Sequence, residues 1–292
     1  MNVTIVGNGV FGNAMRYVLC QNTAAVTMSK RGEQIENSEI VVLCVPTQEI
    51  RNVLPLIKFP KGKKIIVNTA KGIERKTHKF PYQIVEEVFG SSVEYYSLMG
   101  PSFAQEVKKD MPTLVNIGYR IGATQRREIQ KLFHTDFFHA RLTEGVEVLE
   151  IASAMKNVYA MGCGLADGLG YGENTKAKLL TLAIEEMQQM FGGLHFTADD
   201  NATAGTIGDL ILTCASRESR NFRFGKYRVT LTADEALQKV NSTVEGYNSI
   251  QSLTLLQLKA NVSLPLAAFI SKIMKGKDRD MKIQFESFMR KT

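Results

Sequence analysis

A cluster of polar side chains lies in residues 205–225, around a short apolar run. The segment combines an acid, hydroxyls, an amide and guanidinium groups, at Asp209, Thr213, Ser219, Arg220, Asn221 and Arg223. Such groups are suited to holding a small polyhydroxy phosphate, because an arginine fork binds phosphate through two parallel hydrogen bonds. A polar loop followed by a capped helix is the alternative interpretation of this segment alone.

Lys156 and Asn157 lie in residues 151–166, which are otherwise almost entirely apolar or small and have helical spacing. A lysine in such a helix must reach solvent, pair with an acid or lose its proton. Burial disfavours the charged form of an amine, which is how a lysine can become a general base near neutral pH. The alternative is a lysine with a packed stem and a solvated head group, next to an asparagine that joins two helices.

Two further candidates follow predicted strands. Lys71 comes directly after an apolar strand at 63–69, and ligands of open α/β sheets bind outside the carboxyl ends of the strands. Gly100 ends the next predicted strand and Ser102 follows it, where Pro101 suits a first helical turn and leaves backbone N–H groups for an anion. A turn lysine and a helix-capping serine are the simpler alternatives.

The first residues predict a dinucleotide-binding turn. An apolar strand at 2–6 runs into a Gly-x-Gly-x-x-Gly motif and then into a helical pattern. In that context Gly7 makes the tight turn, Gly9 lets the backbone approach a pyrophosphate, and Gly12 lets the helix pack on the strand. A structural turn is the alternative. The expected cofactor contacts are Gly7, Gly9, Val10, Phe11 and Gly12.

The residues after the second strand bear on the choice between NAD and NADP. An acid about 20 positions beyond the glycine motif accepts the ribose 2′-hydroxyl of NAD, whereas basic residues accommodate the 2′-phosphate of NADP. Here Lys30 and Arg31 follow the strand, and the first acid is Glu33. We therefore predict NADP as the preferred cofactor, with NAD possible. Alternatively, the basic pair only begins a solvated helix.

Strand and helix signals divide the chain into two parts. Apolar strand-like runs alternate with helical segments at 2–6, 25–29, 39–45, 63–69, 94–100, 113–119 and 137–143. Such alternation predicts a parallel sheet covered on both faces. From about Gly145 only helical spacing follows. We expect an α/β fold, with a Rossmann-type doubly wound dinucleotide-binding domain at 1–144 and an all-α substrate-binding domain at 145–292.

Composition narrows the function classes. With 292 residues, 44% hydrophobic and 22% charged, the chain is typical of a soluble two-domain protein. The net charge is +7, and lysine and arginine are dense only at 58–64 and 275–282, where Phe59 is the single aromatic residue, so we expect phosphate-bearing small molecules and no nucleic acid. The first predicted strand starts at residue 2 and no 18-residue uncharged apolar run occurs, which favours a cytoplasmic protein without a membrane span.

Cysteine and histidine usage predicts neither disulfides nor a metal site. Cys20, Cys44, Cys163 and Cys214 are widely spaced in apolar surroundings and form no C-x-x-C pair. We interpret them as reduced core thiols. The four histidines are scattered, so no metal is expected.

Taken together, these motifs resemble the soluble, bacterial-type family of NAD(P)-dependent glycerol-3-phosphate dehydrogenases. They occur in the family's order over nearly the whole chain. The matching elements are GNGVFGNA (7–14), VPTQEIRNVL (45–54), TAKGIE (69–74), GPSFAQEV (100–107), MKNVYAMGCGLADGLGYGENTKA (155–177), GDLILTCASRESRNFRFG (208–225) and TVEGYNS (243–249).

The resemblance implies a role for each matched residue. Lys156 would be the proton acceptor, oriented by Asn157 and Asp209, and Lys71 would stabilise the oxyanion while contacting both substrate and cofactor. The expected catalytic residues are thus Lys156, Lys71 and Asp209. The expected substrate contacts are Lys71, Gly100, Ser102, Lys156, Asn157, Asp209, Thr213, Ser219, Arg220 and Asn221. Further expected cofactor contacts are Lys71, Ala104, Arg220, Thr243 and Glu245.

The implied reaction is reversible hydride transfer between sn-glycerol 3-phosphate and NAD(P)+, supplying glycerol 3-phosphate for phospholipid synthesis, and a homodimer is a family-level expectation. At one place the chain departs from the family: only residues 30–38 stand where a longer insert with Asn-Pro and Tyr-Leu-Pro motifs is usual, on the adenosine side. Two alternatives stay open: a catalytically silent NADP-sensing protein, and a related two-domain dehydrogenase for a hydroxy acid.

Overall fold

The computed structural model describes residues 1–23, 25–30, 32–196, 203–276 and 280–292. The chain forms two compact units, Met1–Ser153 with Ala202–Asp209 and Ala154–Asn201 with Leu210–Thr292. The boundary predicted between residues 144 and 145 falls at the start of a long helix, whereas the division into units falls within that helix. The predicted boundary stays a prediction.

The first unit is built on a seven-stranded sheet, in which all seven predicted strands are present. They are β1 Val3–Val6, β2 Val26–Ser29, β4 Ile40–Leu43, β6 Ile65–Asn68, β7 Glu94–Met99, β8 Thr113–Tyr119 and β9 Phe138–Glu144. Across the sheet they lie in the order β2-β1-β4-β6-β7-β8-β9.

Helices cover both faces of this sheet, which explains why its central strands β1, β4 and β6 are buried along their whole length. Neighbouring residues of a strand point to opposite faces, and Ile5 and Val6 accordingly belong to two different core clusters. The helices are α1 Val10–Leu19, α2 Thr47–Val53, α3 Pro81–Phe89, α4 Ala104–Val107 and α5 Arg126–Phe133. The expected doubly wound α/β fold is confirmed.

The direction of the last two strands differs from the all-parallel prediction. The strands from β2 to β7 pair in parallel, but β8 pairs antiparallel with β7, and β9 pairs in parallel with β8. Between β7 and β8 the chain forms only the four-residue α4. A parallel return needs a crossover helix that spans the sheet, so the chain returns in the opposite direction instead.

The short connection between β2 and β4 contains a strand that the sequence did not predict. Residues Ile35–Glu36 form β3, which pairs in parallel with β5, Ile57–Lys58. Both isoleucines are buried, Ile35 at 3% and Ile57 at 6% exposure. The shortened segment is therefore tied to the rest of the unit by an apolar contact and a two-residue ladder.

The second unit is helical throughout its described residues, as predicted. Its helices are α6 Val146–Gly168, α7 Glu173–Gly193, α8 Asp209–Ala215, α9 Arg220–Tyr227, α10 Ala233–Val240, α11 Glu245–Ala260, α12 Pro265–Lys275 and α13 Met281–Lys291; α6 and α8 begin in the first unit. The buried Glu186 carboxylate accepts the backbone N–H groups of Leu266 (2.5 Å) and Ala267 (3.0 Å) and the Tyr159 hydroxyl (2.9 Å). It thereby supplies the first turn of α12 with the acceptor that a helix start lacks.

All four cysteines are free thiols, but they do not all lie in the core. Cys163 and Cys214 are buried and Cys44 is half-buried, whereas Cys20 is exposed. The prediction was wrong for Cys20 because α1 ends at Leu19, so the cysteine lies past the apolar face of that helix.

Candidate active site

The glycine turn has the geometry of an anion-binding helix start. Gly7 adopts a φ of 111°, and a Cβ on Gly12 would lie 1.9 Å from the Gly7 carbonyl oxygen, so the close approach of α1 to β1 requires glycine there. Around Gly9 nothing lies within 4 Å of an added Cβ. This residue precedes α1 without a capping side chain, so the first N–H groups of the helix are available to a pyrophosphate.

The other motif residues lie on the same turn. Val10 is 66% exposed at the first position of α1, while Phe11 is half-buried and packs against the core. The surroundings of this turn therefore fit a dinucleotide, with open space over Gly9 and an apolar residue beside it.

The segment after β2 carries a carboxylate as well as a lysine. Lys30 is exposed, and its backbone N–H donates to Oε2 of Glu33 at 2.7 Å. Arg31, the other predicted 2′-phosphate contact, lies outside the described residues. Glu33 is thus folded back against the end of β2, where an acid is able to accept ribose hydroxyls.

Lys71 is held at the carboxyl edge of the sheet by a buried acid. Its Nζ donates to Asp209 Oδ2 at 2.7 Å and to the Gly100 carbonyl oxygen at 3.1 Å. The Asp209 side chain is 2% exposed, against 24% for Lys71. The hydroxyl of Thr47 donates to the Lys71 carbonyl oxygen at 3.2 Å, so the backbone of this lysine is anchored too.

The segment after β7 contributes backbone and one hydroxyl. The half-buried Ser102 donates from Oγ to the Gly100 carbonyl oxygen at 3.2 Å, the same oxygen that Lys71 contacts. Ala104 is half-buried and begins α4. In the first unit the structure therefore brings Lys71, Asp209, Gly100 and Ser102 together.

Lys156 in the second unit is a buried amine. It is 4% exposed, and its Nζ donates to Thr213 Oγ1 at 2.7 Å. The residues of α6 around it are buried on every side. A lysine with a solvated head group is therefore not what the structure contains. Thr213 lies in α8, four residues after Asp209 in the same helix.

Asn157 and Asn221 are the centre of a three-helix contact. Asn221 Nδ2 of α9 donates to Asn157 Oδ1 of α6 at 2.9 Å, and Asn221 Oδ1 accepts the backbone N–H of Gly246 in α11 at 2.9 Å. The helices approach closely because glycines face them. A Cβ on Gly225 would lie 1.9 Å from the Met161 carbonyl oxygen. Close packing thus fixes the orientation of the Asn221 amide.

The start of α9 supplies the remaining polar groups. Ser219 Oγ caps the helix by accepting the Phe222 N–H at 3.3 Å, and the exposed Arg220 donates to Ser242 Oγ at 3.0 Å. Thr243 follows Ser242 and is half-buried, and Glu245, 7% exposed, begins α11. Arg220 is therefore beside the segment with the two predicted cofactor contacts.

Two buried residues near the Lys71 backbone were not predicted from the sequence. Asn68 at the end of β6 and Glu150 in α6 are both fully buried and hydrogen-bonded to each other, Nδ2 to Oε1, at 3.2 Å. A polar residue at the end of an apolar strand and an acid in an apolar helix are the same kind of signal that singled out Lys156. That signal was available in the sequence.

Comparisons with known proteins agree with this geometry. A family model described as NAD-dependent glycerol-3-phosphate dehydrogenase N-terminus matches residues 29–124, and the C-terminus model of the same family matches residues 145–283. No helix of the described residues is long and apolar enough to cross a membrane.

Individual relatives carry the same name. A glycerol-3-phosphate dehydrogenase [NAD(P)+] of Thermotoga sp. is 35% identical, over 83% of this chain and 73% of its own length. One from Halalkalibacterium halodurans is 32% identical, over 94% and 90%. Among solved structures, glycerol-3-phosphate dehydrogenase from Coxiella burnetii has a TM-score of 0.86 at 22% identity, covering 99% of this chain and 98% of its own.

Proposed function

Because the chain belongs to the NAD-dependent glycerol-3-phosphate dehydrogenase family, we propose that it catalyses reversible hydride transfer between sn-glycerol 3-phosphate and NAD(P)+. The products are dihydroxyacetone phosphate and NAD(P)H. The observation that carries this proposal is the buried Lys156 amine hydrogen-bonded to Thr213, in a chain that also has the dinucleotide turn. In the reverse direction the enzyme supplies glycerol 3-phosphate for phospholipid synthesis.

Lys156 is the proton-transfer group of the proposal. As the hydride leaves C2 of glycerol 3-phosphate, the C2 hydroxyl must lose its proton, and neutral Lys156 accepts it; in the reverse direction Lys156 returns it to the carbonyl oxygen. Thr213 Oγ1, 2.7 Å away, holds the amine in one orientation. Positioned proton transfer of this kind contributes about 10²–10⁴-fold in rate.

Lys71 supplies electrostatic stabilisation. Negative charge develops on the C2 oxygen in the transition state, and a preorganised ammonium group stabilises it. The 2.7 Å contact with the buried Asp209 carboxylate fixes that ammonium group before the substrate arrives. The same contact makes Asp209 a contributor to catalysis through Lys71.

Binding of the substrate phosphate aligns C2 of the substrate for hydride transfer. Arg220 and Asn221 bind the phosphate, with Ser219 beside them, and the binding energy of this remote group is used to align C2. The Asn221 amide is held by Asn157 and Gly246. The further substrate contacts of the proposal are Gly100 and Ser102.

The nicotinamide cofactor accepts or returns the hydride when bound. Gly7, Gly9 and Gly12 would hold its pyrophosphate at the start of α1, and Ala104, Thr243 and Glu245 are its further proposed contacts. We propose NADP as the preferred form because Lys30 and Arg31 follow β2. A cytoplasmic location and a homodimer stay predictions.

A rate assay of the native protein tests the function. With NADPH or NADH, we expect rapid oxidation of the cofactor by dihydroxyacetone phosphate and none by 2-oxo acids. Turnover of a 2-oxo acid instead would favour a hydroxy-acid dehydrogenase. Cofactor binding without turnover of either substrate class would favour the NADP-sensing alternative.

Two variants test the proposed preference for NADP over NAD. Arg31→Ala should raise KM for NADPH much more than KM for NADH, with a steep salt dependence, because an ion pair between arginine and phosphate is screened by salt. Glu33→Gln is the control, since it removes a carboxylate of the same segment. A native kcat/KM higher with NADH, lowered by Glu33→Gln, would contradict the NADP preference.

A further inference from the structure

A buried carboxylate lies behind the Lys71 segment. Glu150 of α6 is fully buried and accepts four hydrogen bonds. The donors to its Oε1 are Ser97 Oγ (2.6 Å), Asn68 Nδ2 (3.2 Å) and the Tyr95 hydroxyl, and the backbone N–H of Tyr82 donates to Oε2 at 3.1 Å. With this number of donors the carboxylate is fully satisfied, and it joins α6 to β6, β7 and the start of α3.

Asn68 connects this carboxylate to the backbone beyond β6. Its Oδ1 accepts the N–H of Ala70 at 2.9 Å, and its Nδ2 donates to the Ala70 carbonyl oxygen at 3.0 Å as well as to Glu150. Both polar backbone groups of Ala70 are thus held by one side chain. Glu150 takes the second hydrogen of the amide and so holds the amide plane.

The next residue along the chain is Lys71. Since the Ala70 backbone is fixed on both sides, the position from which the Lys71 side chain extends is fixed too. From there Nζ reaches Asp209 and Gly100. Hydrogen bonds and one peptide link therefore lead from Glu150 through Asn68 and Ala70 to the backbone of Lys71.

We propose that Asn68 and Glu150 are positioning residues that hold Lys71 in its reactive place. This inference rests on the proposed function, in which Lys71 stabilises the transition state. Neither residue touches the substrate; both act through the backbone of Ala70. Because a misplacement of about 1 Å is able to cost about 10²-fold in rate, loss of the Asn68 contacts should lower kcat by about 10- to 100-fold.

The first test compares variants of Asn68. In Asn68→Leu the side chain keeps the same number of heavy atoms in the same branched arrangement, but it can neither donate nor accept a hydrogen bond. We expect Asn68→Leu and Asn68→Ala to lower kcat for dihydroxyacetone phosphate similarly. A full kcat in Asn68→Leu would mean that the residue only fills space and would overturn the proposal.

The second test is a double-mutant cycle with Lys71. If Asn68 acts through Lys71, then adding Asn68→Leu to Lys71→Met should change kcat by less than about 2-fold. An equal loss in both backgrounds would mean that Asn68 acts elsewhere and would overturn the proposal. Should the Asn68 variants unfold, the cycle is run with Glu150→Gln, which keeps one acceptor oxygen and nearly the same volume.

A matched control separates positioning from general stability. Glu186 is also a buried carboxylate with several donors, but it caps α12 in the second unit. Glu186→Gln should lower the melting temperature and leave kcat within about 2-fold. If the native protein does not turn over dihydroxyacetone phosphate, the proposed function fails. If the native protein is active and every Asn68 and Glu150 variant keeps its kcat, only the positioning role fails.

Discussion

The contact between α6 and α9 offers a direct test of how the Asn157–Asn221 pair is held. In Gly225→Ala the new Cβ would lie 1.9 Å from the carbonyl oxygen and 2.8 Å from the Cα of Met161. These are backbone atoms of a helix, which cannot rotate away, so α9 must move from α6 by about 1 Å or more, since cores are close-packed. The 2.9 Å hydrogen bond between the two asparagines would then exceed bonding distance.

Two costs add up in this variant. Overpacking of a filled interior costs about 1–3 kcal/mol. Each buried amide group that loses its partner adds about 1–3 kcal/mol. We therefore expect Gly225→Ala to lower the free energy of unfolding by about 2–6 kcal/mol. It should also raise KM for dihydroxyacetone phosphate, because Asn221 is a proposed phosphate contact.

Urea unfolding and steady-state kinetics measure both effects. Gly192→Ala is the control: Gly192 lies in α7 and nothing is within 4 Å of an added Cβ. It should stabilise the protein by about 0.5–1 kcal/mol, because alanine is the better helix former. If Gly225→Ala unfolds within about 0.5 kcal/mol of the native protein and keeps its KM, the close-packing argument is refuted.

Further predictions concern the buried acid Glu150 and the proposed phosphate contact Arg220. Burial raises the pKa of Glu150 from 4.5 to about 7, so the folded state favours the protonated carboxyl, and stability is lost as the pH rises towards 7. Ionisation of Glu150 should lower the free energy of unfolding of the native protein by about 3 kcal/mol between pH 4 and pH 8, since each pKa unit corresponds to about 1.4 kcal/mol. Glu150→Gln cannot ionise and should lack this loss. Equal pH slopes of the two proteins in urea unfolding would contradict this. Arg220→Ala should cost about 1.5–3 kcal/mol in kcat/KM, the range for a hydrogen bond to a charged group, and should lower the preference for dihydroxyacetone phosphate over dihydroxyacetone. An unchanged preference ratio would remove Arg220 from the phosphate site.

The sequence predicted those elements whose signal is local. The central strands β1 and β4 are largely apolar runs, and the glycine turn and Lys156 stand out against their neighbours. The direction of β8 was not predictable in this way, because a strand buried on both faces has the same apolar pattern whichever way it runs. The two-residue strands β3 and β5 are too short to carry any pattern.

Contacts between residues far apart in the chain were likewise not predictable from the sequence. Glu150 and Asn68 are 82 positions apart, and Lys71 and Asp209 are 138 apart. Each residue was visible as a polar group in an unusual place, but its partner depends on how the sheet and α6 pack. The same holds for Gly225, whose need for glycine becomes apparent only when α6 lies against α9.

The most direct test of the central claim is the turnover number of Lys156→Met with dihydroxyacetone phosphate and NADPH. Cofactor binding, followed by the fluorescence of the bound nucleotide, serves to verify that the variant is folded. The account predicts unchanged cofactor affinity and a kcat at least about 10²-fold below the native value, because the carbonyl oxygen of dihydroxyacetone phosphate has lost its proton donor. A near-native kcat with only a raised KM would contradict it, and would make Lys156 a binding residue.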